Sequence, residues 1–275
     1  MTRPHTLRVA VASASFACLA LLRCSAFSED GAGSSGGAPV DGAADAPAVE
    51  ASALDGRPND ADAGDAAPQR ACDSGCPGTA GPCEVRVGAL CIDATEVTNA
   101  DYAAFIAARG NTFINAGPPC GDVLVRNVVT RTGPLLPVTG VTFCEARAYC
   151  IHAGKHLCGY VAGGAIVSTQ TTTLKSAWYY ACTAGTGMTT ILNGHCQLDA
   201  PAPAPSGTTC EGSAKGLFDM VGNVHEWVDS VDDAGTGANF VGGGYPQPSN
   251  SDCSFVSGGP IGLRAPDVGF RCCSP

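Results

Sequence analysis

The pattern of apolar and polar positions predicts two amphipathic helices. The first begins after Thr98, which stands three positions before Asp101 in the spacing of a capping box, and it ends at Gly110. Three large side chains recur at helical spacing and give this helix one apolar face: Tyr102, Phe105 and Ile106.

The second predicted helix repeats these signals. Thr142 is its N-cap, Glu145 stands three positions further on, and Gly154 is its stop. Its apolar face consists of Ala146, Tyr149, Cys150 and Ala153.

Elsewhere the pattern predicts short strands, as at residues 84–87 and 138–141, and much irregular backbone. Only 15% of the 275 residues are charged, and 36 Gly and 19 Pro interrupt the apolar stretches. This composition excludes a coiled coil and a simple helical bundle. We therefore expect a compact α+β domain over residues 72–275, with little regular secondary structure.

The first 71 residues predict export and a tether. Residues 9–22 form an apolar run of fourteen residues after a positive start, which fits a signal peptide over residues 1–24 and is too short for a spanning helix. Leu21 precedes Cys24 as in a lipoprotein signal, yet Arg23 stands where a small residue belongs, and ordinary cleavage near Cys24 stays open. Residues 25–71 are almost entirely Ala, Gly, Ser, Pro and Asp, which predicts a disordered, solvated tether.

Charge excludes nucleic acid as a partner. The formal net charge is −10, and no segment after the signal peptide is basic. We expect contact with a membrane only through a lipid anchor on Cys24.

Cysteine content indicates an oxidising compartment. Fourteen of the 16 cysteines lie between Cys72 and Cys273, an even number, and this predicts up to seven disulfide bonds. The alternative, a cytosolic thiolate–metal site, is disfavoured because the first four of these cysteines lack paired C-x-x-C knuckles.

Five motifs resemble those of the formylglycine-generating enzyme family, also called sulfatase-modifying factors. They occur in the family's order: CIDATEVTNADY at 91–102, PVTGVTFCEARAYC at 137–150 with AGKHL at 153–157, GLFDMVGNVHEW at 216–227, GGGY at 242–245, and GFRC at 269–272. The resemblance implies a single compact domain with a variant of the C-type-lectin fold, which the cysteine content predicts to be disulfide-rich. For active members it also implies copper-dependent oxidation of a sulfatase cysteine to formylglycine.

The third motif predicts a calcium site. Asp219 and Glu226 supply carboxylates, and the glycines around them expose backbone carbonyls, a donor set that suits calcium. By resemblance, the ligands are the side chains of Asp219 and Glu226 and the carbonyls of Gly222 and Val224. The alternative is that the two carboxylates only accept hydrogen bonds from nearby backbone donors.

The copper centre of the family is incomplete in this sequence. Active members place two cysteines shortly after the Gly-Gly-Ser-aromatic motif, because a thiolate pair selects cuprous copper. Counted from Tyr245, the first position is Gln247, and the second falls on Asp252 beside Cys253. We expect no copper, and we expect Cys253 to be bridged to Cys272 or Cys273.

Further departures from the family's sequence pattern, and the placement of the histidines, also argue against catalysis. His225 replaces a tryptophan of the family, and the glycines in residues 156–164 oppose the helix that the family has there. His152 and His156 are four residues apart, as in a zinc or copper pair, yet Gly154 separates them and no third ligand is identifiable. We expect each to be a surface or core histidine.

The leading hypothesis is therefore an exported sulfatase-modifying-factor-like domain that is non-catalytic and acts as a binding or surface-structural module. Its expected partner is a protein or glycan at the cell surface, and its expected state is a monomer, either secreted or held as a lipoprotein. The alternative is an enzyme: a formylglycine-generating oxidase with rearranged ligands, or another oxidase on the same scaffold.

Overall fold

The computed structural model describes residues 75–78, 80–126, 132–189, 196, 198–246 and 252–274. The regular structure of these residues consists of three helices, a 3-10 turn and eleven short strands. In chain order they are β1 (Glu84–Val87), β2 (Leu90–Asp93), α1 (Asn99–Arg109), β3 (Phe113–Asn115), β4 (Asp122–Leu124), α2 (Phe143–His152), β5 (His156–Leu157), β6 (Ile166–Val167), the 3-10 turn (Ser168–Gln170), α3 (Ala177–Cys182), β7 (His225–Val231), β8 (Gly237–Val241), β9 (Val256–Pro260), β10 (Val268–Phe270) and β11 (Cys272–Ser274). The predicted signal peptide (1–24) and tether (25–71) lie outside the described residues.

Both predicted helices are confirmed, with their caps. The Thr98 hydroxyl accepts a hydrogen bond from the Asp101 amide, and the Asp101 carboxylate accepts one from the Thr98 amide. Thr142 and Glu145 make the same reciprocal pair at the start of α2. Nowhere in the described ranges is a helix both long and apolar enough to cross a membrane.

The first sheet has four strands in the order β1-β2-β11-β5, and every neighbouring pair is antiparallel. In the β1–β2 pair, Glu84 lies directly opposite Asp93. The sheet therefore joins the start of the domain to its end, because β11 is inserted between β2 and β5.

The second sheet has the order β10-β7-β8-β9, and β6 also pairs with β7. β10 and β6 run parallel to β7, whereas β8 is antiparallel to both β7 and β9. Arg271 is the single residue between β10 of this sheet and β11 of the first, so its side chain lies where the two sheets meet.

Two buried clusters form the core. The first is aromatic and packs α1 and α2 against the second sheet, through Tyr102, Phe105, Phe143, Tyr149, Trp227 and Phe270. The second packs α3 against β1, β2 and β7 through Leu90, Ile92, Trp178 and Val228. The predicted apolar faces of α1 and α2 supply much of the first cluster.

One predicted strand is wrong and one helix was not predicted. Residues 138–141 are irregular, because Gly140 adopts a positive φ of 70° that breaks the extended backbone. Their backbone groups pair outside any sheet, as in the hydrogen bond from the Val138 amide to the Val97 carbonyl. Helix α3 has six residues, too few for a helical pattern to be read from the sequence.

The predicted disulfide framework is confirmed. Six bridges join described cysteines: Cys76–Cys91, Cys120–Cys144, Cys150–Cys272, Cys158–Cys273, Cys182–Cys253 and Cys196–Cys210. Cys83 is disulfide-bonded too, so every described cysteine is oxidised.

Candidate functional site

The sequence motifs converge around the start of β7. The Gly222 amide donates to the Gly242 carbonyl, and the Tyr245 amide donates to the Asn223 carbonyl, which joins the third motif to the fourth. A side chain at Gly242 would come within 2.7 Å of the Met220 carbonyl oxygen, so only glycine permits this approach. β10 pairs with β7 and brings the fifth motif to the same place.

Glu226 lies at the centre of this region in a buried ion pair with Arg271. The guanidinium donates to both carboxylate oxygens, with Nη2 at 2.6 Å from Oε1 and Nε at 2.7 Å from Oε2. Trp178 Nε1 donates to Oε2 at 2.7 Å. Arg271 and Glu226 are almost fully buried, so this bidentate pair is shielded from water.

Asp219 is anchored by the loop that precedes it. Its Oδ1 accepts from the Thr209 hydroxyl at 2.6 Å and from the Cys210 amide at 3.1 Å, and its Oδ2 accepts from the Gly207 amide. Asp219 itself has a positive φ of 56°. The carboxylate therefore holds together the turn that leads into β7.

Glu96 completes a group of three buried carboxylates near one guanidinium. Its Oε1 accepts from Asn223 Nδ2 at 2.8 Å, and Oε2 has no hydrogen-bond partner among the described residues. Burial raises the pKa of Glu96 well above its ordinary value; the charges of Asp219 and Glu226 raise it further, and Arg271 opposes them. Glu96 therefore favours its protonated form, which reduces the excess of negative charge around Arg271.

The structure brings the predicted calcium ligands together, but their arrangement favours the alternative, in which the two carboxylates accept hydrogen bonds from protein donors. Arg271 and Trp178 occupy both oxygens of Glu226, and three donors occupy those of Asp219. Val224 is buried, and Gly222 is held through its amide. A guanidinium thus supplies the positive charge that calcium would supply, and this donor set does not fit a calcium ion unless Arg271 moves away. The calcium site stays a prediction.

Cys253 is bridged, as expected, but its partner is Cys182 and not Cys272 or Cys273. The expected partner was wrong because β11 places Cys272 and Cys273 beside Cys150 and Cys158 instead. Cys253 is buried, and α3 carries its partner. A bridged sulfur is not a thiolate, so the described residues do not fit a copper–thiolate pair. Gln247, the other position of the family's pair, lies outside the described residues.

His225 opens β7 in an aromatic pocket. Its ring stacks on Phe255 at 5.3 Å and contacts Phe240 at 5.2 Å, while Nε2 lies 3.9 Å from an oxygen of Asp267. Burial lowers the pKa of His225, and the charge of Asp267 opposes this shift. The ring is therefore a neutral packing group at pH 7.

His152 and His156 do not form a ligand pair. His152 ends α2 against the ring of Phe105, whereas His156 lies on β5 with Nδ1 against the Cys273 carbonyl. In the part of the chain that the structure describes, no three His, Cys, Asp or Glu side chains are grouped so that they could hold a metal ion.

The described residues also line cavities, two of which have a substantial volume. One of about 380 Å³ is lined by Tyr160, Val161, Ala162, Gly163, Leu174 and Lys175. The other, of about 250 Å³, lies between α1 and α2 and is lined by Ala80, Gly81, Asp101, Ala104, Phe105, Ala108, Tyr149 and His152. The first is mainly apolar, and the exposed side chain of Leu174 lies on it.

Comparison with protein-family models shows which family the chain belongs to. Residues 64–274 match the FGE-sulfatase family, described as the sulfatase-modifying factor enzyme 1-like domain. The chain belongs to this family. The match covers all five motifs and every described residue, and it begins upstream of the predicted domain boundary at residue 72.

Solved structures similar to the FGE-like domain include PvdO from Pseudomonas aeruginosa, 16% identical, with a TM-score of 0.49 over 67% of this chain and 79% of that one. CarF is 20% identical, with a TM-score of 0.45 over 68% and 86% of the two chains. Treponema denticola variable protein 1 is 19% identical, with a TM-score of 0.43 over 67% and 84%. No curated protein matches the chain.

Sequence reasoning found Asp219 and Glu226 but missed the groups that surround them. Arg271 was visible within the GFRC motif, and a buried arginine needs a carboxylate partner. Glu96 was likewise visible within the first motif. Trp178 lies 48 residues before Glu226, and no local pattern links two positions so far apart.

Proposed function

We propose that this FGE-like domain is non-catalytic and acts as an exported binding or surface-structural module. The observation that carries the proposal is the Cys182–Cys253 disulfide. It occupies the sulfur nearest to the second copper position of the family, while the first position is Gln247, which has no thiol.

The oxidised framework supports a location outside the cytosol. Every described cysteine is bridged, and such bridges persist in oxidising compartments. A domain secured in this way, behind an acidic tether, suits a module that presents a surface to a protein or glycan ligand.

The retained residues support a structural use of the family's motifs. Glu226 and Arg271 satisfy each other inside the protein, and Gly242 allows close backbone packing. These residues thus hold the scaffold together through contacts with other parts of the chain.

Copper binding tests the proposal. We expect the purified oxidised protein to contain no copper after incubation with cuprous ion and removal of weakly bound metal, and to contain no free thiol. The matched variants Cys253→Ser and Cys182→Ser break the same bridge. One copper per chain that is lost in Cys253→Ser and kept in Cys182→Ser would overturn the proposal.

Activity tests the alternative, a formylglycine-generating oxidase. The protein is incubated with a peptide that contains a Cys-x-Pro-x-Arg motif, under oxygen and with copper, and the peptide is analysed by mass spectrometry. We expect the cysteine to remain unmodified. Conversion to the aldehyde by the wild type, and not by Cys253→Ser, would establish the enzyme instead.

A further inference from the structure

A lysine and an aspartate form a buried pair in the first sheet, with a glutamate beside them. The backbone carbonyl of the aspartate, Asp93, also accepts a hydrogen bond from Arg271 Nη1 at 3.0 Å. Glu84 and Asp93 lie opposite each other on β1 and β2, and Lys155 reaches them from the segment between α2 and β5. Lys155 Nζ lies 2.5 Å from Asp93 Oδ1, and the two side chains are 1% and 0% exposed.

The reacting atoms are held in fixed positions. Lys155 Nζ also donates to the Pro82 carbonyl at 2.8 Å, and Asp93 Oδ2 accepts from the Cys272 amide at 2.8 Å. With a carbon–oxygen bond of about 1.2 Å, Nζ lies no more than about 3.7 Å from Asp93 Cγ. This approaches the separation of about 3–3.5 Å at which bound groups are poised to react.

Glu84 lies beside this pair, opposite Asp93 on the neighbouring strand. It is buried, its Oε2 accepts from the Gly78 amide, and its Oε1 has no hydrogen-bond partner among the described residues. A Cβ atom added to Gly78 would lie 2.4 Å from Glu84 Oε2 and 2.1 Å from Lys155 Cε, so the two side chains flank the same small space. The negative charge of Glu84 opposes ionisation of Asp93.

Burial acts in the same direction on Asp93. It raises the pKa of Asp93 to about 7, although Lys155 lowers that pKa. A proton that passes from the ammonium to the carboxylate leaves a neutral amine beside a neutral carboxylic acid, the pair from which an amide forms.

We propose that Lys155 and Asp93 condense to an intramolecular amide bond, and that the neighbouring charge of Glu84 promotes the step. This modification is independent of the proposed binding function. It adds a covalent link between β2 and the segment that joins α2 to β5, beside the bridges that Cys91, Cys150, Cys272 and Cys273 make.

The step balances without an added reactant. The lone pair of Lys155 Nζ attacks Asp93 Cγ and a C–N bond forms. One Asp93 oxygen then leaves as water with the two protons that the ammonium gives up, one passed along the Nζ–Oδ1 hydrogen bond before the attack and one passed from the nitrogen to the leaving oxygen after it. Nothing is oxidised or reduced.

Two physical effects favour condensation here over the same reaction in free solution. The fold holds amine and carboxyl together at an effective concentration far above that of separate molecules. It also removes a buried ion pair, whose desolvation is costly, and replaces it with a neutral amide.

Peptide mapping tests the bond. The full chain is purified from an oxidising compartment, denatured, reduced, alkylated and digested with trypsin. We expect peptide 87–109 joined to peptide 148–175, uncleaved at Lys155 and lighter by one water, about 18 Da, than the two peptides together. Recovery of linear peptides 87–109, 148–155 and 156–175 in full yield would overturn the proposal, and so would a water loss located at any other residue.

Two variants test the roles of the residues. Lys155→Arg keeps the positive charge without a reactive amine, and we expect only linear peptides from it. In Glu84→Gln, we expect the linked peptide to fall at least tenfold in samples taken early after oxidative refolding. Circular dichroism and the absence of free thiols identify folded protein in both. A linked product in folded Glu84→Gln equal to that of the wild type would remove Glu84 from the mechanism.

Discussion

Arg271 is the buried cation that balances the carboxylates at the start of β7. We expect Arg271→Met to lower the free energy of unfolding by about 3–5 kcal/mol, because Glu226 would remain buried without its counter-charge. Chemical denaturation measures the loss.

Arg264→Met is the matched control. Arg264 pairs with Glu145 at 2.6 Å, but its side chain is 42% exposed, and we expect a loss of less than about 1 kcal/mol. Equal losses in the two variants would show that burial does not determine how much the Arg271–Glu226 pair contributes to the free energy of unfolding.

Calcium can be tested at the same residues. We expect the Tm to be the same in calcium and in EDTA, because Arg271 already occupies the oxygens of Glu226. A calcium-dependent rise in Tm that disappears in Asp219→Asn, and persists in the exposed-site variant Asp232→Asn, would establish the predicted calcium site.

His225 gives the domain a pH dependence of known sign. Because burial lowers its pKa in the folded state, the unfolded chain binds more protons below about pH 6.5, and the free energy of unfolding falls as the pH drops. We expect His225→Phe, which keeps the aromatic packing, to lose less stability between pH 7.5 and 5.5 than the wild type loses.

Urea denaturation at the two pH values makes this comparison. His152→Gln is the control, since His152 is less buried and contributes less. An unchanged pH dependence in His225→Phe would assign the effect to other groups, with His156 the first candidate because burial lowers its pKa as well.

At the scale of elements, the capping boxes explain why α1 and α2 begin where the sequence predicts. Thr142 and Glu145 satisfy two backbone amides that the helix leaves unpaired. We expect Thr142→Ala to lower the free energy of unfolding by about 1 kcal/mol, measured by chemical denaturation.

Thr142→Ser keeps the hydroxyl and serves as the control, with an expected loss well below that of alanine. If serine and alanine cost the same, the hydrogen bond of the cap is not the source of the stability.

Elements without such local signals depend on their neighbours. β5 has two residues and exists because β11 pairs with it, at Leu157 opposite Cys272. The six residues of α3 are held by burial of Trp178 and by the Cys182–Cys253 bridge. Short elements of this kind do not carry enough apolar periodicity to be predicted from the sequence.

At the scale of the whole molecule, two disulfide bonds close nearly the same loop. Cys150–Cys272 and Cys158–Cys273 span 122 and 115 residues. If one bridge is replaced by two alanines, the other still closes most of that loop. On the chain-entropy model, we expect each single removal to cost about 3 kcal/mol and the joint removal about 7 kcal/mol, more than the sum of the two.

Denaturation of the two double-alanine variants and of the quadruple-alanine variant measures these costs. If the quadruple-alanine variant is unfolded while both double-alanine variants fold, joint removal costs more than the whole free energy of unfolding, which agrees with the expected excess. Simple addition of the two costs would show that the bridges stabilise through separate local effects.

The sequence by itself determined the two long helices, the oxidised cysteine framework and the family. Each depends on information that is local or compositional: a cap and a stop within about a dozen residues, an even number of cysteines, or a short motif. The α+β class follows from the same signals.

Only the tertiary structure decided which groups meet. The insertion of β11 between β2 and β5 chose the partners of Cys272 and Cys273, and with them the pairing of Cys253 with Cys182. It likewise brought Arg271 to Glu226 and placed Lys155 against Asp93, 62 residues away. Such contacts join residues far apart in the chain, and the physical reason is that their free energy is gained only when both sheets have formed around them.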